Sequence, residues 1–372
     1  MTVKYTLVDK EDRLAELVSV LNEVPGCALD TEADSMHHYR VRLCLIQITV
    51  AGKNWIVDPL SDINLNKLWQ TKALQNLILH GADYDLRMLH TFCDFTPQKI
   101  FDTMIAARFL GVHRVGLSSL VKKYFSVTLA KSNQKADWTK RPLPKTMKQY
   151  AVLDTFYLHE LREILLADLR KLGREEWHTQ TCAHILQNSQ EDIFLESDDD
   201  AWRIKKSNSL DPRALVFLRE LWHWREKEGE LLDRPVFKVL NNEALIGISR
   251  RAANNASNIT AQTFNKLPRN FTGDRLRRFL NTLHRAAKIP QKEWPEPKAR
   301  RLKLVDSPNA KHLESIRNYR DKIALELEID PTIIANRNQM VNLAMPNKDW
   351  ENKIKLARLL PWQWEMLKPG IN

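Results

Sequence analysis

The chain reads as an α/β domain built on a mixed sheet, followed by two small all-α bundles. Three observations carry that reading. Over residues 1 to about 165, short apolar runs alternate with helical patterns, the rhythm of an α/β fold. Beyond about residue 200 the pattern is wholly helical, and the proline-bearing "IPQKEWPEPKARR" splits it into two stretches. The charge divides at the same place. From residue 201 onward there are 33 basic against 19 acidic residues, a surplus of 14, which leaves the first 200 residues at −3 within a total of +11. A near-neutral front half and a basic back half point to chemistry in one and polyanion binding in the other.

Each element has a local justification. Leu14, Leu17, Val18 and Leu21 recur at helical spacing. "GCALDTE", "VRLCLIQITVAG", "NWIVDP" and "NLILHGA" read as strands, the first three joined by short turns as antiparallel neighbours are. Helices follow at "YDLRMLHTF", "DTMIAARFL", "GLSSLVKKYF" and the long "TMKQYAVLDTFYLHELREILLADLRKL". The acid-rich "SQEDIFLESDDDAW" breaks the periodicity and reads as a linker. The expected division is an α/β domain with a trailing helix over 1–190, an acidic linker over 191–204, and helical domains over 205–292 and 298–372.

Composition bounds the function. The 372 residues are 43% hydrophobic and 28% charged, with no apolar run long enough to span a bilayer and no secretory h-region near the start. The expectation is a cytoplasmic protein with no membrane partner. Cys27, Cys44, Cys93 and Cys182 are widely spaced and suggest neither a zinc knuckle nor a disulfide framework. There is no GxxxxGK[ST] loop and no G-x-S-x-G, so neither a nucleotide cofactor nor serine-hydrolase chemistry is expected.

Carboxylates supply the positive signal. Asp30 and Glu32 stand two apart at the end of a strand and so share a face. Asp85 opens a helix after "LILHGAD", and Tyr150 and Asp154 stand four apart on another helix, again on one face. If these segments meet, four acids and a phenol share a pocket, which calls for hard divalent cations, Mg2+ or Mn2+. Two such ions about 4 Å apart clamp the attacking and leaving oxygens of an in-line phosphoryl displacement. Tyr150 then holds the attacking water.

The order and surroundings of these residues resemble the DEDD 3′-to-5′ exonuclease superfamily, and more closely ribonuclease D. "LDTEADSMHHYRVRLCLIQI" looks like its first motif, "LHGADYDLRML" its second with Asp85 rather than Asp83 as the acid, and "QKADWTKRPLPKTMKQYAVLDTFYL" its third. Tyrosine four residues before the last Asp marks the DEDDy branch. The resemblance covers about residues 5 to 170 and implies a ribonuclease H-like exonuclease domain. It also implies that Asp30 bridges two metals, that Glu32 and Asp154 complete the nucleophile-bearing site, and that Asp85 acts on the second ion through water. Two departures stand out: Ala33-Asp34-Ser35-Met36-His37-His38-Tyr39 replaces the usual continuation after D-T-E, and several segments also look like the related exosome-associated nuclease.

The back half resembles the helicase-and-RNase-D C-terminal (HRDC) domain in "LVFLRELWHWREKEGELLDRPVFKVLNNEALIGIS", and residues 298–370 look like a degenerate second unit of that type. Between Ala244 and Gly273 there is no acid, while Arg250, Arg251, Lys266 and Arg269 are basic, a face suited to phosphate backbone. Trp138 with Lys140 and Arg141 is the candidate substrate entrance, and His37, His38 and Tyr39 the candidate path of the terminal nucleotides. The reading is a monomeric, metal-dependent exoribonuclease that trims 3′ ends of structured RNA such as tRNA precursors, releasing 5′-mononucleotides. Its rivals are a DNA exonuclease of the same superfamily and a catalytically inactive RNA-binding adaptor.

Overall fold

The computed structural model describes residues 2–130, 133–190, 200–264, 267–297, 308–346 and 349–370. They group into two units. The first comprises Met1–Asp34, Arg42–Phe194 and Asp306–Asn372, the second Ser35–Val41 and Leu195–Val305. In chain order the first unit opens with β1 (Thr6–Val8), α1 (Glu11–Glu23), β2 (Cys27–Ala33), β3 (Leu43–Val50), β4 (Lys53–Val57) and β5 (Asn76–Leu79). It continues with α2 (Asp83–Cys93), β6 (Lys99–Asp102), α3 (Thr103–Phe109), α4 (Leu117–Phe125), α5 (Lys145–Phe156), α6 (Leu158–Lys171) and α7 (Glu175–Asn188).

Among the described residues the strands form one mixed sheet in the order β1-β4-β3-β2-β5-β6. β2, β3 and β4 are antiparallel neighbours, as their short connections predict, whereas β5 lies parallel to β2 and to β6. The short edge strands β1 and β6 are additions to the sequence reading. β3 is buried along its whole length, and apart from Gln47 and Thr49 it is an apolar run. α5 and α6 cover one face of the sheet. Thr155 and Thr49 meet there through their hydroxyls at 2.8 Å, and His159 Nε2 lies 3.0 Å from the Thr49 carbonyl. Leu158, Leu161 and Leu165 of α6 sink beside Ala28, Ile78 and Phe101 of the strands. Each such buried side chain contributes roughly 1.5–3 kcal/mol.

The turn from β5 into α2 depends on glycine. Gly81 sits at φ +77°, and a Cβ there would come within 2.6 Å of the Met104 side chain. The Asp102 carboxylate accepts from the amides of Gly81 and Ala82 at 3.0 and 2.8 Å, which fixes the start of α2.

The second unit holds α8 (Pro212–Leu231), α9 (Val236–Val239), α10 (Asn242–Asn254) and α11 (Gly273–Ala287). Asp211 caps α8 through the Ala214 amide at 2.8 Å ahead of Pro212, and Asn241 caps α10 in the same way. Trp224 is core, 5.5 Å from Phe271 and 5.2 Å from Phe279. Trp222, two residues away on the helix, is only partly buried against that core.

The last segment carries α12 (Ala310–Glu326), α13 (Pro331–Ile334), α14 (Arg337–Leu343), α15 (Trp350–Ala357) and α16 (Pro361–Leu367). The sequence reading treats 298–372 as a helical domain of its own. Its helices do enclose a core around Ile316, Ile334, Leu343 and Leu367. Yet Trp362 of α16 stacks on Trp177 at 5.2 Å and meets Phe109 edge-on at 5.4 Å, so the segment packs as part of the first unit. Residues 191–199 of the expected linker lie outside the described residues.

Candidate active site

The site forms where β2 outruns its neighbour β5. Their pairing ends at Ala28 and Ile78, after which β5 turns away through Gly81. Thr31 therefore has no ladder acceptor on that side, and Asp85 in the first turn of α2 takes its place. Asp85 Oδ1 accepts from the Thr31 amide at 3.0 Å and from the Thr31 hydroxyl at 2.5 Å. Asp30 and Glu32, flanking Thr31, point to the other face of the strand. There α5 lies on the sheet by Met147, Ala151, Val152 and Thr155, which leaves Tyr150 and Asp154 at the cavity.

Carboxylate oxygens of Asp30, Glu32 and Asp154 lie within 4.8 Å of one another. All three, with Asp85 and Tyr150, line one cavity of about 430 Å3 whose walls include Thr31, His80, Tyr84, Ser118 and Gln134. Asp85 is 6% exposed, whereas Asp83 reaches solvent and pairs with Arg87. Among the described residues, no lysine or arginine pairs with Asp30, Glu32 or Asp154.

Such crowding has an electrostatic signature. Burial first, then the charges of Asp85, Asp154 and Glu32, push the Asp30 carboxyl well above the ordinary range. Burial and the Asp154 charge push Glu32 up to about 9, and burial and the Asp85 charge push Asp154 up to about 8. Asp85 rises to about 7 through burial, partly offset by its Thr31 hydrogen bonds. Tyr150 is also raised, by burial and the neighbouring acids, so its phenol keeps its proton. Two unit charges 4 Å apart repel by about 4 kcal/mol at the dielectric of a protein edge, against about 1 kcal/mol net for a hydrogen bond. Repulsion wins, and the cluster takes up either protons or cations.

The donor set fits a hard cation. It offers carboxylate oxygens alone, with no imidazole or thiolate in the group, the preference of magnesium or manganese.

Other residues singled out in the sequence take different places. Trp138, expected at the substrate entrance, is 1% exposed and packs 6.1 Å from the Tyr150 ring as part of the core under α5. It offers no face to a nucleobase. Arg141 is likewise spent: Nε and Nη2 clasp Asp58 at 2.6 Å each, Nη2 also reaches the Cys44 carbonyl at 2.9 Å, and Nη1 the Trp138 carbonyl at 2.8 Å. Lys140 is exposed beside it, its carbonyl accepting from Arg141 Nη1 at 2.9 Å.

His37, His38 and Tyr39 belong to the second unit, and none of them lines the carboxylate cavity. His38 Nδ1 lies 2.7 Å from Asp233, and Tyr39 donates its amide to Asp233 at 3.1 Å and its hydroxyl to Glu226 at 3.4 Å. Gly229 of α8 makes room, since a Cβ there would lie 2.9 Å from the Tyr39 ring. His38 and Tyr39, proposed for the RNA path, are thus tied to Asp233 and to Glu226 of α8. Arg250, Arg251 and Arg269 are exposed on the helical unit, and Lys266 lies outside the described residues.

Thr31 and His80 are among the cavity residues that escaped the sequence reading. Thr31 is the middle letter of D-T-E and holds Asp85. His80 meets Thr103 Oγ1 through Nδ1 at 2.9 Å; because that hydroxyl donates to the Leu79 carbonyl at 3.0 Å, the ring nitrogen is the donor. Burial lowers its pKa and keeps the ring neutral. The only sequence signal for either was its neighbour: an acid on each side of Thr31, a Gly-Ala turn after His80.

Comparison with known proteins agrees with this geometry. A 3′-5′ exonuclease family model matches residues 5–170, and an HRDC domain model matches residues 214–279. The chain is 31% identical over 304 residues to ribonuclease D of Pseudomonas paraeruginosa, covering 78% of this chain and 77% of that protein. It is 27% identical to Escherichia coli ribonuclease D, over 100% of this chain and 98% of that one. The crystal structure of the E. coli enzyme superposes with a TM-score of 0.70 at 24% identity, covering 99% of this chain and 98% of that one, and shows that the fold is shared.

Proposed function

The chain belongs to the ribonuclease D family and is a 3′-to-5′ exoribonuclease, and on that premise we propose that it trims structured RNA, tRNA precursors among them, by two-metal hydrolysis. The observation that carries this reading is the convergence of Asp30, Glu32 and Asp154 within 4.8 Å, in one cavity with Asp85 and Tyr150. Divalent cations held by these carboxylates supply charge neutralisation at the phosphoryl oxygens and a more acidic water.

The chain's own groups do the rest. Asp30, whose carboxyl feels the charges of Asp85, Asp154 and Glu32 alike, would be the ligand shared between the ions. Asp85, pinned by two hydrogen bonds to Thr31, keeps one oxygen for the second ion. Tyr150, a protonated phenol one helical turn from Asp154, orients the attacking water by hydrogen bonding rather than by taking its proton. In-line attack on the last phosphodiester releases a 5′-mononucleotide and leaves a new 3′ hydroxyl. Arg250, Arg251 and Arg269, exposed and without acidic neighbours in the sequence, are suited to hold the RNA backbone by charge, independent of base sequence.

The test uses 5′-labelled RNA and DNA oligonucleotides with free or blocked 3′ ends, in magnesium, manganese or EDTA. Wild type should shorten RNA stepwise from a free 3′ end only with metal, and Asp30→Asn should not. Preferential digestion of DNA would move the polymer, and no digestion in any metal would favour an RNA-binding adaptor.

A further inference from the structure

Gln47 stands at the centre of β3 with 0% exposure, and neither its Oε1 nor its Nε2 has a hydrogen-bond partner among the described residues. A buried amide left unpaired destabilises the fold, because both its polar atoms give up their bonds to water. Packing does not call for an amide at this position. On its own face, Leu45 two residues back along β3 and Ile56 directly opposite on β4 are buried and apolar, so a methionine would fill the same volume.

Its location gives the polar group a purpose. The register sets Gln47 directly opposite Asp30 on β2, and paired residues of antiparallel strands project from the same face. That face is the one α5 covers, because Thr49, two residues along β3, meets Thr155 of α5 at 2.8 Å. Directly opposed residues have Cβ atoms about 4.5–5.5 Å apart, within reach of a glutamine amide. Gln47 therefore lies under the carboxylate cluster, with Asp30 as its neighbour across the ladder.

We propose that Gln47 is a positioning residue of the ion site: its amide N–H donates to the Asp30 carboxylate and fixes the direction from which that carboxylate meets divalent cations. The inference rests on the two-metal reading above. An amide N–H donated to a cation-bound carboxylate is a charge-assisted hydrogen bond, and it gives the unpaired Gln47 Nε2 its partner. Partners of this kind, standing behind a ligating side chain, are worth about 10- to 100-fold in metal affinity.

The test compares wild type, Gln47→Met, Gln47→Leu and Asp30→Asn, all without RNA. Manganese binding is read by calorimetry and electron paramagnetic resonance, and melting temperature is read in EDTA and in manganese. Gln47→Met should melt in EDTA at or above the wild-type temperature, since it removes an unpaired amide. It should bind manganese about 10- to 100-fold more weakly and lose most of the manganese-induced rise in melting temperature. Gln47→Leu, which also removes the donor, should weaken binding as well. Manganese affinity within twofold of wild type in either variant overturns the inference while leaving the ion site standing. So does a Gln47→Met protein that melts several degrees lower in EDTA, which would make the amide a structural group. If wild type binds no manganese, or Asp30→Asn binds it equally well, the two-metal reading fails and this inference falls with it.

Discussion

Two sets of acids in the first unit, one buried and one half-buried, differ most in the presence of an arginine. Asp34, 0% exposed, takes the Arg42 amide at 2.7 Å and its Nε at 2.8 Å, which closes the approach to β3. Asp58, 5% exposed, is clasped by Arg141 through two bonds of 2.6 Å. Asp30 lies four residues before Asp34 on the same segment, yet it faces Glu32 and Asp154 with no base beside it among the described residues. A buried carboxylate matched with a guanidinium is consumed in holding the fold. One without a base has its ordinary ionisation suppressed, first by desolvation and then by the neighbouring carboxylates, and its coordination left open. Partnership, more than burial or residue type, separates the structural acids from the chemical ones.

The comparison is sharpened most by exchanging charge for amide in each set. Asp154→Asn should lower turnover by about 10^3-fold or more while leaving the protein folded, because it removes a repelled charge. Loss of folding together with activity, read by circular dichroism beside the nuclease assay, would place Asp154 among the structural acids. Arg141→Ala should do the reverse. Leaving Asp58 unpaired should cost about 3 kcal/mol of stability by denaturant titration, with turnover per folded molecule near wild type.

A smaller effect follows from the raised carboxyl groups. Burial first, with neighbouring charge, pushes Asp85, Asp154 and Glu32 up to about 7, 8 and 9, above the ordinary carboxyl value of about 4. The folded state thus binds more protons than the unfolded state across that interval, and their contribution, full below about pH 4, is lost as pH rises toward 9. In EDTA the melting temperature should fall between pH 5 and 9, and manganese should restore it at the alkaline end. A flat profile in EDTA would remove the repulsion on which the contrast stands. Least affected should be the Arg250→Ala, Arg251→Ala double variant, whose RNA affinity should lose about 1–2 units of logarithmic salt slope with cleavage of short oligomers unchanged.

Much of the site was legible because its signals are local. D-T-E at a strand end and Y-x-x-x-D on a helix put side chains on one face by backbone periodicity alone, and Asp85 was distinguishable from Asp83 by its motif. Trp138 and Arg141 were misread for a complementary reason. Their types suit an RNA entrance, but every inward donor of Arg141 goes to Asp58 and to carbonyls, and the Trp138 ring fills the core under α5. Nothing at positions 138–141 encodes that, because the partners stand some 80 to 100 residues earlier in the chain. The same holds for His38 and Tyr39, whose acceptors Asp233 and Glu226 lie 195 and 187 residues away. It holds too for Trp362, which ties the last helices to Phe109 and Trp177.

By itself the sequence determined the alternation of strands and helices, the three antiparallel strands, the identity of the clustered acids and the split of charge between the halves. These follow from periodicities of two and 3.6 residues and from composition, which operate over a few neighbours. Only the tertiary structure decided which acids are neutralised, which aromatics are core, that Thr31 holds Asp85, and that Gln47 lies unpaired opposite Asp30. Each of those is settled by the partner that packing brings across the sheet or from another element, and a side chain's electrostatic role depends on that partner.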